Sequence, residues 1–477
     1  MDGSGDLAGK ARISALAELS GRLRAPWIAF AGCLVLAFTA LAAAFLAAPA
    51  PLAAAATSGE TLARHMGVAS CAGSTCHGHS VPDGTPVRQD ELRAWQEPSS
   101  PTGAHSRAYA VIAQPRGAAI VRKLGLGADG VREQCLGCHA SAGGVRLADG
   151  VDCESCHGGA AGWLAAHYTV GASHRRNVAQ GMTDLTDPRT RAAVCLDCHY
   201  GGQGQGQFIT HKVMAAGHPR ISFELDLFST LQQHHDEDAD YIARKGSRTN
   251  SLRFWAVGQA EALNRSLRLF EQPTLAMDGM FPEFSFFDCH SCHRRIFDGD
   301  DMRPTALANP GRPVPPGTPP YNDENMIMLS AVAKVIAPAQ AAQFDARARA
   351  FHASMLQGRG AAVAAAGALR QSATTLADRF AGASFDRAQG FAILDTLASE
   401  AIGARFTDYE GAVQSVMALD TLLGGMVNAG TVSGSTAAAL RAEINRAYAA
   451  VREPNSFQPL AFRRALSDAV RAIRAAR

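Results

Sequence analysis

The sequence predicts a mainly α-helical protein in two parts: a loop-rich region organised around several bound prosthetic groups, and a C-terminal α-helical bundle. Three observations support this prediction. Ten of the eleven cysteines form five close pairs, each followed directly by a histidine. The region that holds these pairs, residues 60–300, is rich in glycine and poorly periodic. Residues 323–477 are instead rich in alanine and show helical periodicity.

Composition excludes some classes of partner. The formal net charge of +2 over 477 residues gives no strong basic field, and we therefore predict no nucleic-acid partner. Aromatic residues make up only 7% of the chain. A conventional aromatic core is therefore thin, and bound prosthetic groups are expected to supply apolar bulk instead.

The N-terminal segment is predicted to be an export signal. Residues 1–26 contain four basic side chains, and residues 27–49 (WIAFAGCLVLAFTALAAAFLAAP) contain no charge. Such a run approaches the roughly 20 residues that span a bilayer, and basic residues before it favour a cytoplasmic N-terminus. Small residues follow, so we predict that 27–49 is a membrane anchor, which we slightly favour, or a cleaved signal peptide. The alternative is a buried helix of a soluble domain. Either export prediction places the rest of the chain on the periplasmic side of a bacterial inner membrane.

The paired cysteines define five candidate sites. The motifs are CAGSTCH (Cys71, Cys76, His77), CLGCH (Cys135, Cys138, His139), CESCH (Cys153, Cys156, His157), CLDCH (Cys195, Cys198, His199) and CHSCH (Cys289, Cys292, His293). In a CxxCH motif, two thioether bonds tether haem c and the histidine that follows is the proximal iron ligand. Zinc knuckles and redox-active disulfides are the alternatives. Neither explains a histidine after every second cysteine, so we predict five covalently attached haems c.

The first motif has four residues between its cysteines instead of two. Gly73 and Ser74 suit a bulge that lets both sulfurs reach one porphyrin edge. The alternative is four haems and a degenerate first site.

The remaining histidines are candidates for the sixth iron ligand. Ten of these eleven fall between residues 65 and 290, which bis-histidine ligation explains. The predicted distal ligands are His65, His105, His167, His211 and His218. His174 is left open, and His79 is too near His77 to reach the same iron. We expect His290 to face away from its own haem and His352 to be an ordinary helix residue, while His234 and His235 (HHDEDAD) read as a solvated acidic face.

The chain organisation follows composition. One long amphipathic helix is predicted over 251–272 within the cytochrome-like region 60–300. A Pro- and Gly-rich linker follows over 301–322. Residues 323–477 read as six or seven helices in a bundle with no cysteine and one histidine, so we expect it to stabilise or dock rather than to do redox chemistry.

These motifs resemble a known family. The order CxxxxCH, W…HSRA, CLGCH and GVDCESCHGG is similar to that of the cytochrome c554-type multihaem cytochromes. The stretches HKVMAAGHPRISFEL and FPEFSFFDCHSCH also resemble exported multihaem cytochromes. The resemblance covers residues 60–300, and it implies a helical, loop-rich fold in which closely stacked haem pairs pass electrons in a periplasmic chain. A fifth motif, a lengthened first motif and the C-terminal bundle depart from the family pattern.

Two functions are compatible with the sequence. The first is electron transfer between redox partner proteins, a membrane quinol-linked donor or a periplasmic acceptor. The second is a redox enzyme acting on nitrite, hydroxylamine, NO or a sulfur compound through one haem with an open position. Pentahaem nitrite reductases carry a CxxCK motif at the catalytic haem, and no motif here ends in lysine. We therefore favour the electron carrier and assign no catalytic residue.

Overall fold

The computed structural model describes residues 64–80, 89–220, 222–235, 242, 249–275, 282–293, 311–315, 318–402 and 409–477. Residues Leu62–Arg477 form one compact unit. The described part is mainly helical and contains no strand, as predicted. The predicted membrane segment at 27–49 lies outside the described residues, and none of the helices in the described ranges is long and apolar enough to cross a membrane.

Short helices joined by loops make up the region that carries the cysteine motifs. They are α1 (Glu91–Gln96), α2 (Pro115–Leu124), α3 (Ala128–Gln134), α4 (Leu136–His139), α5 (Cys153–His157), α6 (Leu164–His167), α7 (His174–Ala179), α8 (Pro188–His199), α9 (His211–Ala216) and α10 (Leu225–Leu231). Capping side chains begin several of them: the carboxylates of Asp152 and Asp187, for example, accept from backbone N–H groups at the starts of α5 and α8. Few large apolar side chains are buried here.

Longer helices form the remainder. They are α11 (Ser251–Glu271), α12 (Cys289–His293, the fifth motif), α13 (Glu324–Ile336), α14 (Pro338–Ser354), α15 (Arg359–Ala381), α16 (Arg387–Ile402), α17 (Tyr409–Asn428), α18 (Gly434–Ala450) and α19 (Pro459–Ala476). The seven helices described between residues 324 and 476 match the predicted bundle. One continuous hydrophobic cluster joins them.

Helix α11 lies in the core of this bundle although it precedes the linker in sequence. Trp255 and Phe270 are fully buried in the same cluster as the C-terminal helices. Two glycines allow close approach of its neighbours. A Cβ at Gly258 would lie 2.5 Å from the Cβ of Leu225 in α10, and one at Gly425 in α17 would lie 2.6 Å from that of Ser251. The cytochrome-like region and the bundle therefore share a core.

Arg312, in the described part of the Pro-rich segment, lies against the fifth motif. The guanidinium of Arg312 is buried and donates to both carboxylate oxygens of Asp323, just before α13. It also lies 3.7 Å from Asp288, whose carboxylate accepts from backbone N–H groups at the start of α12. A paired buried arginine is held firmly, because breaking the pair would leave an uncompensated charge. Arg312 thereby connects the start of the bundle to the last cysteine motif.

Candidate haem-binding sites

The four regular motifs each form a single helical turn. They lie in α4, α5, the C-terminal end of α8, and α12. In the second motif the backbone N–H of His139 donates to the carbonyl of Cys135 at 3.1 Å. This turn brings the two sulfurs and the histidine of one motif close together. All ten described cysteines are free of disulfides, so each thiol is available for another bond.

The first motif reaches the same geometry through a longer loop. The backbone N–H of His77 donates to the carbonyl of Cys71 at 3.1 Å, the counterpart of the bond between His139 and Cys135. The extra residues form a turn within the loop that this hydrogen bond closes, where the N–H of Cys76 donates to the carbonyl of Gly73 at 2.9 Å. A Cβ at Gly78 would lie 2.0 Å from the carbonyl oxygen of Ala72, so the exit from the loop requires glycine. The bulge predicted at Gly73 and Ser74 has this form.

Every motif histidine faces a second histidine from a distant part of the chain. The pairs, with the distance between ring centres, are His77–His167 (6.1 Å), His139–His218 (6.3 Å), His157–His234 (6.2 Å), His199–His105 (5.9 Å) and His293–His211 (5.9 Å). Each pair brings together two rings, stacked or edge to face, that are far apart in the sequence.

The spacing fits an iron ion between the two rings. A metal–imidazole nitrogen bond is about 2 Å, and a ring centre lies about 1 Å beyond the nitrogen, so two imidazoles on one metal place their ring centres roughly 6 Å apart. All five pairs fall between 5.9 and 6.3 Å. Each pair also has two cysteines beside it. Two thiols, a proximal histidine and a distal histidine are the donor set that a bis-histidine haem c requires.

Several of these rings are oriented by a hydrogen bond at Nδ1. Nδ1 of His139 lies 2.7 Å from the carbonyl oxygen of Ala108, and Nδ1 of His218 lies 2.9 Å from that of Pro219. Nδ1 of His234 lies 3.0 Å from the carbonyl of Gln232. A proton held at Nδ1 leaves Nε2 unprotonated, which is the form that binds a metal.

Burial keeps many of the paired histidines neutral. It lowers the pKa of His157 to about 3, aided by the nearby imidazoles of His234 and His235. Burial likewise lowers the pKa of His199 and that of His234, each to about 4, and it lowers the pKa values of His105, His167 and His218. Iron binds the neutral imidazole, so these sites are prepared for a metal near pH 7.

His234 was missed by sequence reasoning, which placed it with His235 on a solvated acidic face. Both rings lie near His157, at 6.2 and 6.5 Å between ring centres, and ligand atoms of all three lie within 4.8 Å of one another. His234 is the more buried of the two. The one available signal is spacing, because His234 follows His157 by an interval similar to that of the other pairs.

The other candidate histidines do not face a motif histidine. Nδ1 of His65, a predicted distal ligand, lies 3.9 Å from the carboxylate of Asp152. His174 contacts Asp184 at 3.0 Å. His290 points away from its own motif towards the rings of Tyr409 and Phe457 in the bundle, as expected, and His352 is buried among the bundle helices.

Glu154, inside the CESCH motif, joins the first and third sites. Its buried carboxylate accepts from the backbone N–H groups of Met66 at 2.8 Å, Gly67 at 2.7 Å and Ala160 at 2.7 Å. The segment that leads into the first motif is therefore attached to the third. Nothing in the sequence pattern distinguishes this glutamate from an exposed one.

Neighbouring motifs also contact one another directly. The thiol of Cys198, in the fourth motif, donates to the carbonyl of Gly137 in the second at 3.7 Å. Glu154 of the third motif holds the segment that leads into the first. Helix α9 connects the second and fifth sites. His211 at its start faces the fifth motif, and His218, just after its end, faces the second. The sites therefore form a contiguous group.

Comparison with known proteins supports a c-type cytochrome. The profile of the family described as cytochrome c554 and c-prime matches residues 70–158, which contain the first three motifs. Searches of curated proteins and of solved structures each found no match. The family match implies covalently bound haem c and electron transfer.

Proposed function

We propose that this chain is a multihaem cytochrome that transfers electrons through five covalently bound haems c, each with two axial histidines. The observation that carries the proposal is the repeated distance of about 6 Å between each motif histidine and a distant histidine. Haem c, when bound, supplies a one-electron Fe(III)/Fe(II) couple whose geometry changes little with redox state when both ligands are histidines.

The residues have distinct roles in this proposal. The ten motif cysteines would form the thioether bonds, and the five motif histidines would be the proximal ligands. The distal ligands would be His105, His167, His211, His218 and His234. His65 has no part in this assignment, because each motif histidine already faces another ring.

The described histidine pairs favour a carrier over an enzyme. A catalytic haem needs one axial position open to substrate, and here a second imidazole faces each of the five motif histidines. The hydrogen bond from Cys198 to Gly137, and those that Glu154 accepts from Met66 and Gly67, support close packing of neighbouring sites, which electron exchange between them requires. Protein–protein electron transfer with a membrane donor and a periplasmic acceptor is the corresponding role.

The proposed location rests on the sequence before residue 60. The basic segment 1–26 and the uncharged run 27–49 support export to the periplasmic side of a bacterial inner membrane, with the chain anchored or released by cleavage. Haem attachment to CxxCH motifs also suits an oxidising compartment. Free thiols form disulfides there, and thioether bonds to haem would prevent this for the ten motif cysteines.

Haem content and spin state test the proposal together. The full chain is produced with a cytochrome c maturation system, and haem is counted by pyridine haemochrome and by the mass of the denatured chain. We expect five haems per chain and low-spin EPR signals that nitrite, NO or hydroxylamine does not alter. A chain with four haems would contradict the assignment of a haem to the first motif. A large high-spin signal that shifts with those ligands would contradict the electron-carrier role and support the redox enzyme.

A further inference from the structure

One carboxylate contacts histidines from two of the five sites. Oε2 of Glu91, in α1, lies 3.0 Å from Nδ1 of His77, the first motif histidine. Its other oxygen, Oε1, lies 3.3 Å from Nδ1 of His235. The Glu91 side chain is only 13% exposed, and its contact with His77 is partly buried, whereas the side chain of His235 is 48% exposed.

These two histidines belong to different sites. His77 faces His167 in the first site, whereas His235 adjoins His234 and faces His157 in the third. Glu91 lies in neither motif and is 144 residues from His235 in the chain. It therefore links the first site to the turn that presents the third site's distal ligand.

A carboxylate acts on an axial histidine differently from a carbonyl. It accepts the Nδ1 proton with a full negative charge, which makes the imidazole a stronger electron donor to the metal and favours Fe(III). In the second site the acceptor at the proximal histidine is the neutral carbonyl of Ala108. The first and second sites thus differ in the charge of this acceptor.

We propose that Glu91 is a positioning residue shared by the first and third sites, which lowers the reduction potential of the haem at the first motif and holds the His234–His235 turn opposite His157. This inference rests on the proposed function, because it requires haems at both motifs. Its two effects are separable: the first depends on charge, and the second on the hydrogen bond to His235.

The test compares Glu91→Gln with Glu91→Asp and with the matched control Glu97→Gln. Glu97 follows the same helix, and its carboxylate accepts from Ser99 instead of a histidine. Potentials are measured by optical redox titration of the five-haem protein, with EPR recorded at each stage. In Glu91→Gln we expect the reduction potential of one low-potential haem to rise. The Fe(III)/Fe(II) equilibrium of that haem should change at least tenfold, which is about 59 mV for a one-electron couple. Its EPR g-values should change as well. Glu91→Asp is expected to retain most of the wild-type potential, and Glu97→Gln all of it.

The outcomes separate the inference from the proposed function. A wild-type chain without haem at the first or third motif refutes the proposed function itself. Five haems in Glu91→Gln with all potentials and g-values unchanged refute the inference alone. A high-spin third haem, or haem loss, in Glu91→Gln that Glu91→Asp restores supports the positioning role. Haem loss that Glu91→Asp does not restore rejects the role of the charge.

Discussion

The carboxylate of Glu154 accepts a hydrogen bond from the backbone N–H of Gly67 at 2.7 Å, across 87 residues of chain. It also accepts from Met66 and Ala160, so one buried side chain satisfies three backbone donors. Gly67 has a φ of 82°, a conformation that glycine adopts without strain. The first motif therefore depends for its position on a residue of the third.

Replacing Glu154 by glutamine is expected to destabilise the folded protein by about 1–3 kcal/mol, because the amide keeps one acceptor oxygen and leaves at least one buried donor unpaired. The free energy of unfolding is measured by urea titration of the haem-loaded protein. Glu133→Gln, at an exposed position of α3, is the control and is expected to change little. Equal stability of the two variants would show that the Glu154 contacts are energetically neutral.

Replacing His218 by alanine is expected to open the sixth position of the second haem. His139 would then be the remaining axial ligand, held by its hydrogen bond to Ala108, and a high-spin signal that responds to added imidazole or NO is expected for one haem in five. EPR and optical spectroscopy measure it. His174→Ala is the matched control, because His174 contacts Asp184 and faces no motif histidine. A fully low-spin His218→Ala protein would reject the assignment of His218.

Deleting Gly73 and Ser74 converts the first motif to CATCH, with standard spacing. We expect the shortened motif to keep its haem, because the hydrogen bond from His77 to Cys71 already matches that from His139 to Cys135. The mass of the denatured chain gives the haem count directly. Cys76→Ser, which removes one sulfur, is the comparison and is expected to weaken attachment at this site. Loss of haem from the deletion variant alone would show that the longer loop is itself required.

Stability is expected to fall as pH rises between about 4.5 and 8 because of Glu224. Burial, together with the neighbouring Asp226, raises the pKa of Glu224 from 4.5 to about 8. The folded chain therefore holds a proton that the unfolded chain releases, so the contribution is complete below pH 4.5 and is lost as pH rises through 8. Two groups of the bundle interact with the Glu224 carboxyl. The Thr421 hydroxyl donates to it at 3.1 Å, and Tyr448 interacts with it electrostatically.

Glu224→Gln is expected to flatten this part of the stability profile, since glutamine does not titrate. Urea unfolding at intervals from pH 5 to 8.5 measures the slope for both proteins. Wild type and variant profiles that run parallel would mean that Glu224 is ionised in the fold throughout this range.

The sequence predicted what is local. A CxxCH motif forms one helical turn, and alanine-rich periodicity produces helices, so the motifs and the seven bundle helices were predictable. The packing of Ser251–Glu271 was not. Its buried residues lie all round the helix, including Gln259, Asn264 and Ser266, and the sequence does not show which partners cover each face.

Distal histidines expose the same limit. His105, His167, His211 and His218 were named from their sequence surroundings, and each lies opposite a motif histidine. His65 was named on similar grounds and lies beside Asp152. His234 was overlooked because the acidic residues after it resemble a solvated surface. Which imidazole faces which motif depends on chain topology, and no short pattern contains that information.

The five histidine pairs also constrain how the chain assembles. The members of each pair are 77 to 94 residues apart, and the intervals overlap. For example, His105, which pairs with His199, lies between His77 and His167 in the chain. Closing a loop of this length costs entropy that varies only slowly with length, which makes the five closures similar in cost. Covalent attachment needs only seven residues or fewer at a motif. The motifs of His77, His139 and His157 precede their partner histidines in the chain, whereas His105 and His211 precede the motifs that they face. A chain emerging from its N-terminus would thus carry its first three haems with one axial position vacant, whereas the last two would meet a partner histidine that has already been made.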